Sequence, residues 1–238
     1  MEPYIFQGIV LPERAQLSLQ FALDFSHLGS GNRGQAKVSI ILNQVVVWIY
    51  SKYRWDIFDL RNIVKNIVHN ELAMVGYLKG YAYDLEITRV TNQSREIDYV
   101  FGIDVSCLAE RGMSIDLERE MPKLREKFSG ENGVLLQRCF GDLVSSMKHA
   151  DDTGLYCYRA IESLRHHCAL LHGLSDASKA EQWQKFREIS GCDEQTLRNI
   201  KIAADPLRHG EVSYTDSAGR TKLLSSTWAV VDGYLKSS

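Results

Sequence analysis

Leu17-Ser18-Leu19-Gln20-Phe21-Ala22-Leu23-Asp24-Phe25 places its large apolar residues at odd positions and small or polar ones between them. Successive side chains of a strand point to opposite faces, so this period of two specifies a strand with one buried face. Ile97, Tyr99, Phe101, Ile103 and Val105 repeat the pattern, as do Tyr81, Tyr83, Leu85 and Ile87. Gly29-Ser30-Gly31-Asn32 and Thr91-Asn92-Gln93-Ser94 supply turn chemistry between such runs. Val38 to Tyr50 is β-branched and aromatic, interrupted by Asn43-Gln44, and reads as one long strand or two short ones. A single helix interrupts the strands. Ile57, Leu60, Val64, Val68, Leu72 and Val75 step by three or four and share one helical face, with Asp56 placed to cap it and Gly76 to stop it.

From about residue 117 the apolar period becomes 3.6. Helices are expected near 117–128, 131–148, 153–172, 178–190, 194–204 and 220–236. The third has Cys157, Ile161, Leu164, Cys168 and Leu171 on one seam, as in a bundle. The last carries two rows, Leu223/Thr227/Val230/Tyr234 and Leu224/Trp228/Val231/Leu235, so it buries a broad side. Ser178 with Glu181 reads as a capping box. The predicted fold class is therefore α+β: a mainly antiparallel sheet with one helix over 1–115, followed by an all-α bundle over 116–238.

Composition excludes several classes of protein. Of the 238 residues 45% are apolar and 24% charged, a globular balance that argues against disorder. The net charge is -2, with 11 basic and 13 acidic residues up to Asp116 and 17 of each after it. No global field draws such a chain onto nucleic acid or membrane. The first thirty residues lack the apolar core of a signal peptide, and no apolar run approaches the length of a membrane span. Five scattered cysteines without a CxxC fit reduced thiols in a cytoplasmic protein. No membrane partner is expected.

Five of the seven histidines fall in the helical half, and four of them, His166, His167, His172 and His209, form a cluster in the sequence. Cys168 and His172 are one turn apart and could share a metal with His209. The familiar zinc spacings are absent, and Cys168 lies on the apolar seam, so the expectation is no metal and no cofactor. A cysteine nucleophile with a histidine base has no activated thiol to recommend it. Nor is there a Gly-rich phosphate loop, a carboxylate-pair signature or a nucleophile elbow for an enzyme centred on the sheet.

The segment Tyr156-Cys-Tyr-Arg-Ala-Ile-Glu-Ser-Leu-Arg165 resembles an early helix of the HEPN superfamily. Leu197-Arg-Asn-Ile-Lys-Ile-Ala-Ala-Asp-Pro-Leu-Arg-His-Gly-Glu211 resembles the later region holding that superfamily's histidine. The resemblance covers at most 117–238 and implies a HEPN-like helical bundle, dimeric in many members. It further implies a metal-independent ribonuclease or RNA-binding component of a defence or toxin–antitoxin system. In such enzymes a histidine serves as general acid or base and an arginine stabilises charge on the phosphate. Active members carry an arginine, four to six residues, then a histidine. Arg159…His166 and Arg165…His172 have this spacing, and the second pair is followed by Gly173 and spans two helical turns. His209-Gly210 stands where the family's histidine belongs, with Arg208 adjacent and Arg198-Asn199 eleven residues earlier. The candidate catalytic residues are thus His209, Arg208, Arg198, Arg165 and His172. The alternative is a non-catalytic dimerisation or partner-binding subunit of a larger complex, and a homodimer is expected in either case.

Asp205-Pro206 disfavours a continuous helix and suits an N-cap followed by a first helical position. The helix from 194 is therefore expected to break near 204, with a short turn from Pro206 to His209 ending at Gly210. Such a break would turn Arg208 and His209 outward, beside Arg198 or Arg165. The competing structural reading pairs Arg208 with Asp205 or Glu211 and leaves His209 bonding to backbone.

Overall fold

Leu42 and Asn43 decide how the run from Val38 to Tyr50 folds. Both take left-handed φ, 48° and 69°, which suits a two-residue hairpin turn whose twist matches the strands. In the computed structural model, which describes residues 2–102 and 105–237, two strands therefore flank this turn. They are β3 (Arg33–Ile41) and β4 (Gln44–Tyr50), paired from Ile41↔Gln44 to Gln35↔Tyr50. With β1 (Tyr4–Leu11), β2 (Leu19–Ser26), β5 (Asp84–Asn92) and β6 (Ile97–Val100) they form one antiparallel sheet in the order β2-β3-β4-β1-β5-β6. Asn43 is buried and holds the turn to the loop that precedes β2. Its Oδ1 accepts from the Leu17 amide at 2.7 Å, and its Nδ2 donates to the carbonyls of Pro12 and Glu13 at 3.3 Å.

The helix α1 (Ile57–Lys79) buries Leu60, Val64, Ile67, Val68 and Leu72 in the core of this sheet, with Phe6, Val38, Val47 and Ile49. Asp56 caps it as expected, its Oδ1 accepting from Phe58 and Asp59 amides at 2.9 and 3.0 Å. Gly76 does not end the helix; Gly80 does, at φ 68°. What Gly76 provides is room for the returning chain, since a Cβ there would lie 2.5 Å from the Tyr81 carbonyl oxygen.

The expected strand from Ile97 to Val105 ends early. β6 stops at Val100, Phe101 packs in the sheet core, and Ile103 lies outside the described residues. Val105 instead precedes a helix that periodicity did not reveal, α2 (Ser106–Ser114). Val105 and Cys107 pack on the second core, and Arg111 pairs with Asp232. The chain accordingly divides into units 1–103 and 104–238, which places α2 with the helices instead of with residues 1–115.

The second unit continues as α3 (Leu117–Ser129), α4 (Gly133–Lys148), α5 (Thr153–Leu171), α6 (Lys179–Ser190), α7 (Glu194–Arg208) and α8 (Ser217–Ser237). α5 is central: α4, α6, α7 and α8 all pack on it. Cys157, Ile161, Leu164 and Cys168 are fully buried there, among Leu136, Phe186, Ile200 and Tyr234. Gly154 permits close approach of α7, because a Cβ at 154 would lie 2.6 Å from the Ala203 carbonyl oxygen. The Ser178/Glu181 capping box forms at the start of α6. Leu171 departs from the expected seam: as the last residue of α5 it is 51% exposed, at the helix end.

The predicted break at Asp205-Pro206 is absent, and α7 runs through both residues to Arg208. Proline sits in the last turn, where the only intrahelical bond it forfeits is to the carbonyl of exposed Ile202. Burial of Leu197, Ile200 and Ala204 along the same face outweighs that loss. Gly210, expected to end a separate short turn, instead follows the end of the continuous helix at φ 77°.

Candidate functional site

Arg208 and His209 end α7, and both are exposed although the helix is unbroken. The Arg208 guanidinium lies 5.3 Å from the centroid of the Tyr158 ring on α5, and its Nη1 reaches Asp205 Oδ1 at 3.3 Å. Tyr158 in turn stacks on Trp183 of α6, centroids 6.4 Å apart and planes 24° from parallel. On the Trp183 ring, 5.4 Å from its centroid, lies the Arg165 guanidinium. Two candidate arginines forty-three positions apart are thus joined by an arginine–tyrosine–tryptophan–arginine ladder across α7, α5 and α6.

Each rung has a local cause. Tyr158, Glu162 and Arg165 recur at four and three residues on α5, so they share a flank of that helix. Arg165 donates to Gln182 Oε1, and Gln182 is oriented by its amide, which donates to the Leu174 and Ala177 carbonyls at 2.9 and 3.1 Å. Arg165 Nε is buried without a partner among the described residues. Burial pushes the Tyr158 phenol up to about 12, with the Glu162 carboxylate adding to the effect and Arg208 opposing it. At neutral pH the ladder therefore carries a neutral phenol between two cations and two carboxylates, Glu162 and Asp205.

The other candidates stay apart from it. His172 caps α5 through its backbone amide, which donates to the Cys168 carbonyl at 3.1 Å, and its side chain is exposed. It lies roughly 10 Å along the helix axis from Arg165, two turns away. Arg198 is exposed on α7, nearly three turns before Arg208. His209 uses its backbone amide at the helix end, donating to Asp205 and Pro206 carbonyls at 3.3 and 3.1 Å. The Arg208–Asp205 pair is the one the structural reading of the sequence anticipated.

Burial works against the cysteines of the helical unit as nucleophiles. Burial pushes the Cys139 thiol up to about 12, and raises Cys157, Cys168 and Cys192 as well. His167 is buried, its Nδ1 2.7 Å from the Tyr234 hydroxyl, and burial lowers its pKa, helped by Lys127. Asp142 is buried against Arg159 at 3.1 Å, so that arginine is also committed. Among the described residues no three His, Cys, Asp or Glu side chains are arranged to hold a metal ion. Cys168 faces the core, whereas His172 lies at the surface.

Tyr158, Trp183, Glu162 and Gln182 were not singled out in the sequence. The four-and-three spacing on α5 was a readable signal for two of them. Trp183 and Gln182 sit on another helix, and no spacing connects them to α5.

Residues 4–101 match a family model described as Domain of unknown function (DUF8168) N-terminal domain, and residues 121–238 match its companion, described as Domain of unknown function (DUF8168) C-terminal domain. No curated protein and no solved structure matches the chain. Among the described residues no helix is long and apolar enough to cross a membrane.

Proposed function

We propose that the helical unit is a non-catalytic interaction module that pairs with a second copy of itself through the ladder surface. The observation that carries this reading is the commitment of both arginines. Arg165 and Arg208 rest on the Tyr158–Trp183 stack, with Gln182 and Asp205 bound to them, instead of facing a histidine across a space for phosphate. Arginine, tyrosine and tryptophan are the residue types that dominate binding energy at protein interfaces. The surface also mixes two cations with Glu162 and Asp205, and the sequence after Asp116 carries 17 basic and 17 acidic residues. A mixed patch repels a polyanion at its carboxylates but is complementary to its own two-fold copy, as an isologous interface requires.

Sedimentation equilibrium of the whole chain over a micromolar concentration series tests this. A reversible dimer is expected, and Arg208→Glu should yield a folded monomer with the helical content of the wild type. A wild-type chain that stays monomeric throughout overturns the reading. The HEPN-type alternative has its own arm, because His209 stands exposed beside Arg208. Cleavage of single-stranded RNA in the presence of chelator, lost in folded His209→Ala, would install a ribonuclease in place of the module.

A further inference from the structure

The sheet unit holds a polar cleft of about 340 Å³ lined by Arg54, Ser94, Arg95 and Glu96. Its volume falls within the range of small-molecule sites. Neither Arg54 nor Arg95 forms an ion pair among the described residues. One buried side chain, Tyr4, places both. Its ring carries the Arg95 guanidinium at 5.2 Å from the centroid, and its hydroxyl accepts from the Trp55 amide at 3.2 Å, which fixes the backbone next to Arg54. Trp55 is buried and held again by its ring nitrogen, which donates to Ser51 Oγ at 3.0 Å.

The other wall is equally constrained. Asn92, buried, accepts from the Arg95 amide and from Ser94 Oγ, both at 3.0 Å, and its Nδ2 donates to the Glu2 carbonyl at 3.3 Å. Glu96 follows at a left-handed φ of 56°, which sets its side chain on the cleft wall. The Ser94 amide is already taken by the Glu2 carboxylate at 2.5 Å. A ligand in this cleft would therefore be met by side chains: two guanidiniums as donors and, as acceptors, Glu96 and the Ser94 oxygen whose proton goes to Asn92.

We infer that this cleft binds the phosphate group of a phosphate monoester. Two planar guanidinium forks lining one cleft suit the several oxygens of a phosphate dianion. Stacking on Tyr4 restrains Arg95 and leaves the edge of its fork available, so little side-chain freedom remains to be lost on binding. Glu96 repels a second anionic group but accepts from a hydroxyl, which favours a phosphate attached to a hydroxylated body over free phosphate.

Calorimetric titration of the whole chain with ribose 5-phosphate, and separately with inorganic phosphate, tests the assignment. Ribose 5-phosphate should bind, more tightly than inorganic phosphate. Arg54→Gln and Arg95→Gln should each weaken it about tenfold, as loss of a charge-assisted contact does. Lys37→Gln, an exposed cation of the same unit, should leave it unchanged. Arg54 is exposed, so its variant reads binding even if Arg95→Gln were to unfold. Absence of binding by either probe overturns the proposal, as does equal weakening by Lys37→Gln. Tighter binding of inorganic phosphate than of the ester overturns the monoester assignment.

Discussion

The two units differ in where they place their buried polar groups. In the sheet unit the buried polar side chains Asn43, Ser51 and Asn92 lie at turns, where they hydrogen-bond backbone that leaves the ladder. In the helical unit ionisable groups lie inside the bundle: Asp142 against Arg159, His167 against Tyr234, and Tyr158 beneath Arg208. A sheet exposes unpaired backbone wherever a strand ends, so neutral amides and hydroxyls there satisfy it at little cost. Helices satisfy most of their own backbone, so in the bundle the short hydroxyls of Ser146, Ser190 and Thr227 return to carbonyls of the preceding turn, while the ionisable groups pair with one another. The stability of the helical unit should therefore depend on pH, and that of the sheet unit on its turns.

The largest effect expected is in the bundle core. Leu164→Ala should cost about 2–5 kcal/mol in urea unfolding, because the residue is fully buried at the helix on which four others pack. A loss under about half a kcal/mol would mean that the bundle is not organised around α5. In the sheet unit the corresponding weak point is polar. Asn43→Ala leaves the Leu17 amide buried without an acceptor and should cost about 1–3 kcal/mol. Hydrogen exchange should open first at the β3–β4 turn and the loop before β2; protection lost uniformly over both units would erase the contrast.

The pH response sharpens it next. Burial lowers the His167 pKa below its ordinary 6.5, so the unfolded chain takes up this proton first as pH falls. The associated stability is complete above pH 6.5 and is lost as pH drops through the folded value. Tyr158 runs the other way, raised from 10.0 to about 12, so its contribution is complete below pH 10 and lost as pH rises toward 12. Amide exchange measured unit by unit should show both limbs in the helices, and His167→Gln should flatten the acid limb alone. An acid limb of equal size in the sheet unit would contradict the comparison. The smallest effect belongs to the Arg208–Asp205 pair, whose side chains are 39% and 40% exposed. Arg208→Ala should change the stability of the isolated protomer by no more than about 1 kcal/mol, read from its thermal melt.

How much of this was legible follows from which interactions are local. Alternation along 17–25 and the 3.6-residue seams identified strands and helices because each pattern repeats within one element. Asp56 and the Ser178/Glu181 box read correctly for the same reason, since a cap satisfies backbone within a few residues of itself. Pro206 misled because its local penalty is small in a last turn, and the face formed by Leu197, Ile200 and Ala204 holds the helix together. α2 was missed because its nine residues are too few for a clear periodic stripe. At the candidate site Arg165, Arg208 and His209 were candidates from sequence, but their surroundings were not legible there.

By itself the sequence determined the α+β layout, the order of the elements and most of the two cores, because hydrophobic periodicity and capping act over a few residues. Only the tertiary structure decided what the polar residues touch. It laid Arg208 on Tyr158 and Arg165 on Trp183, buried His167 against Tyr234, and brought Arg54 and Arg95 to one cleft through Tyr4. A guanidinium reaches its partner across space, and its partner's position depends on how whole helices and strands pack, which no spacing along the chain encodes.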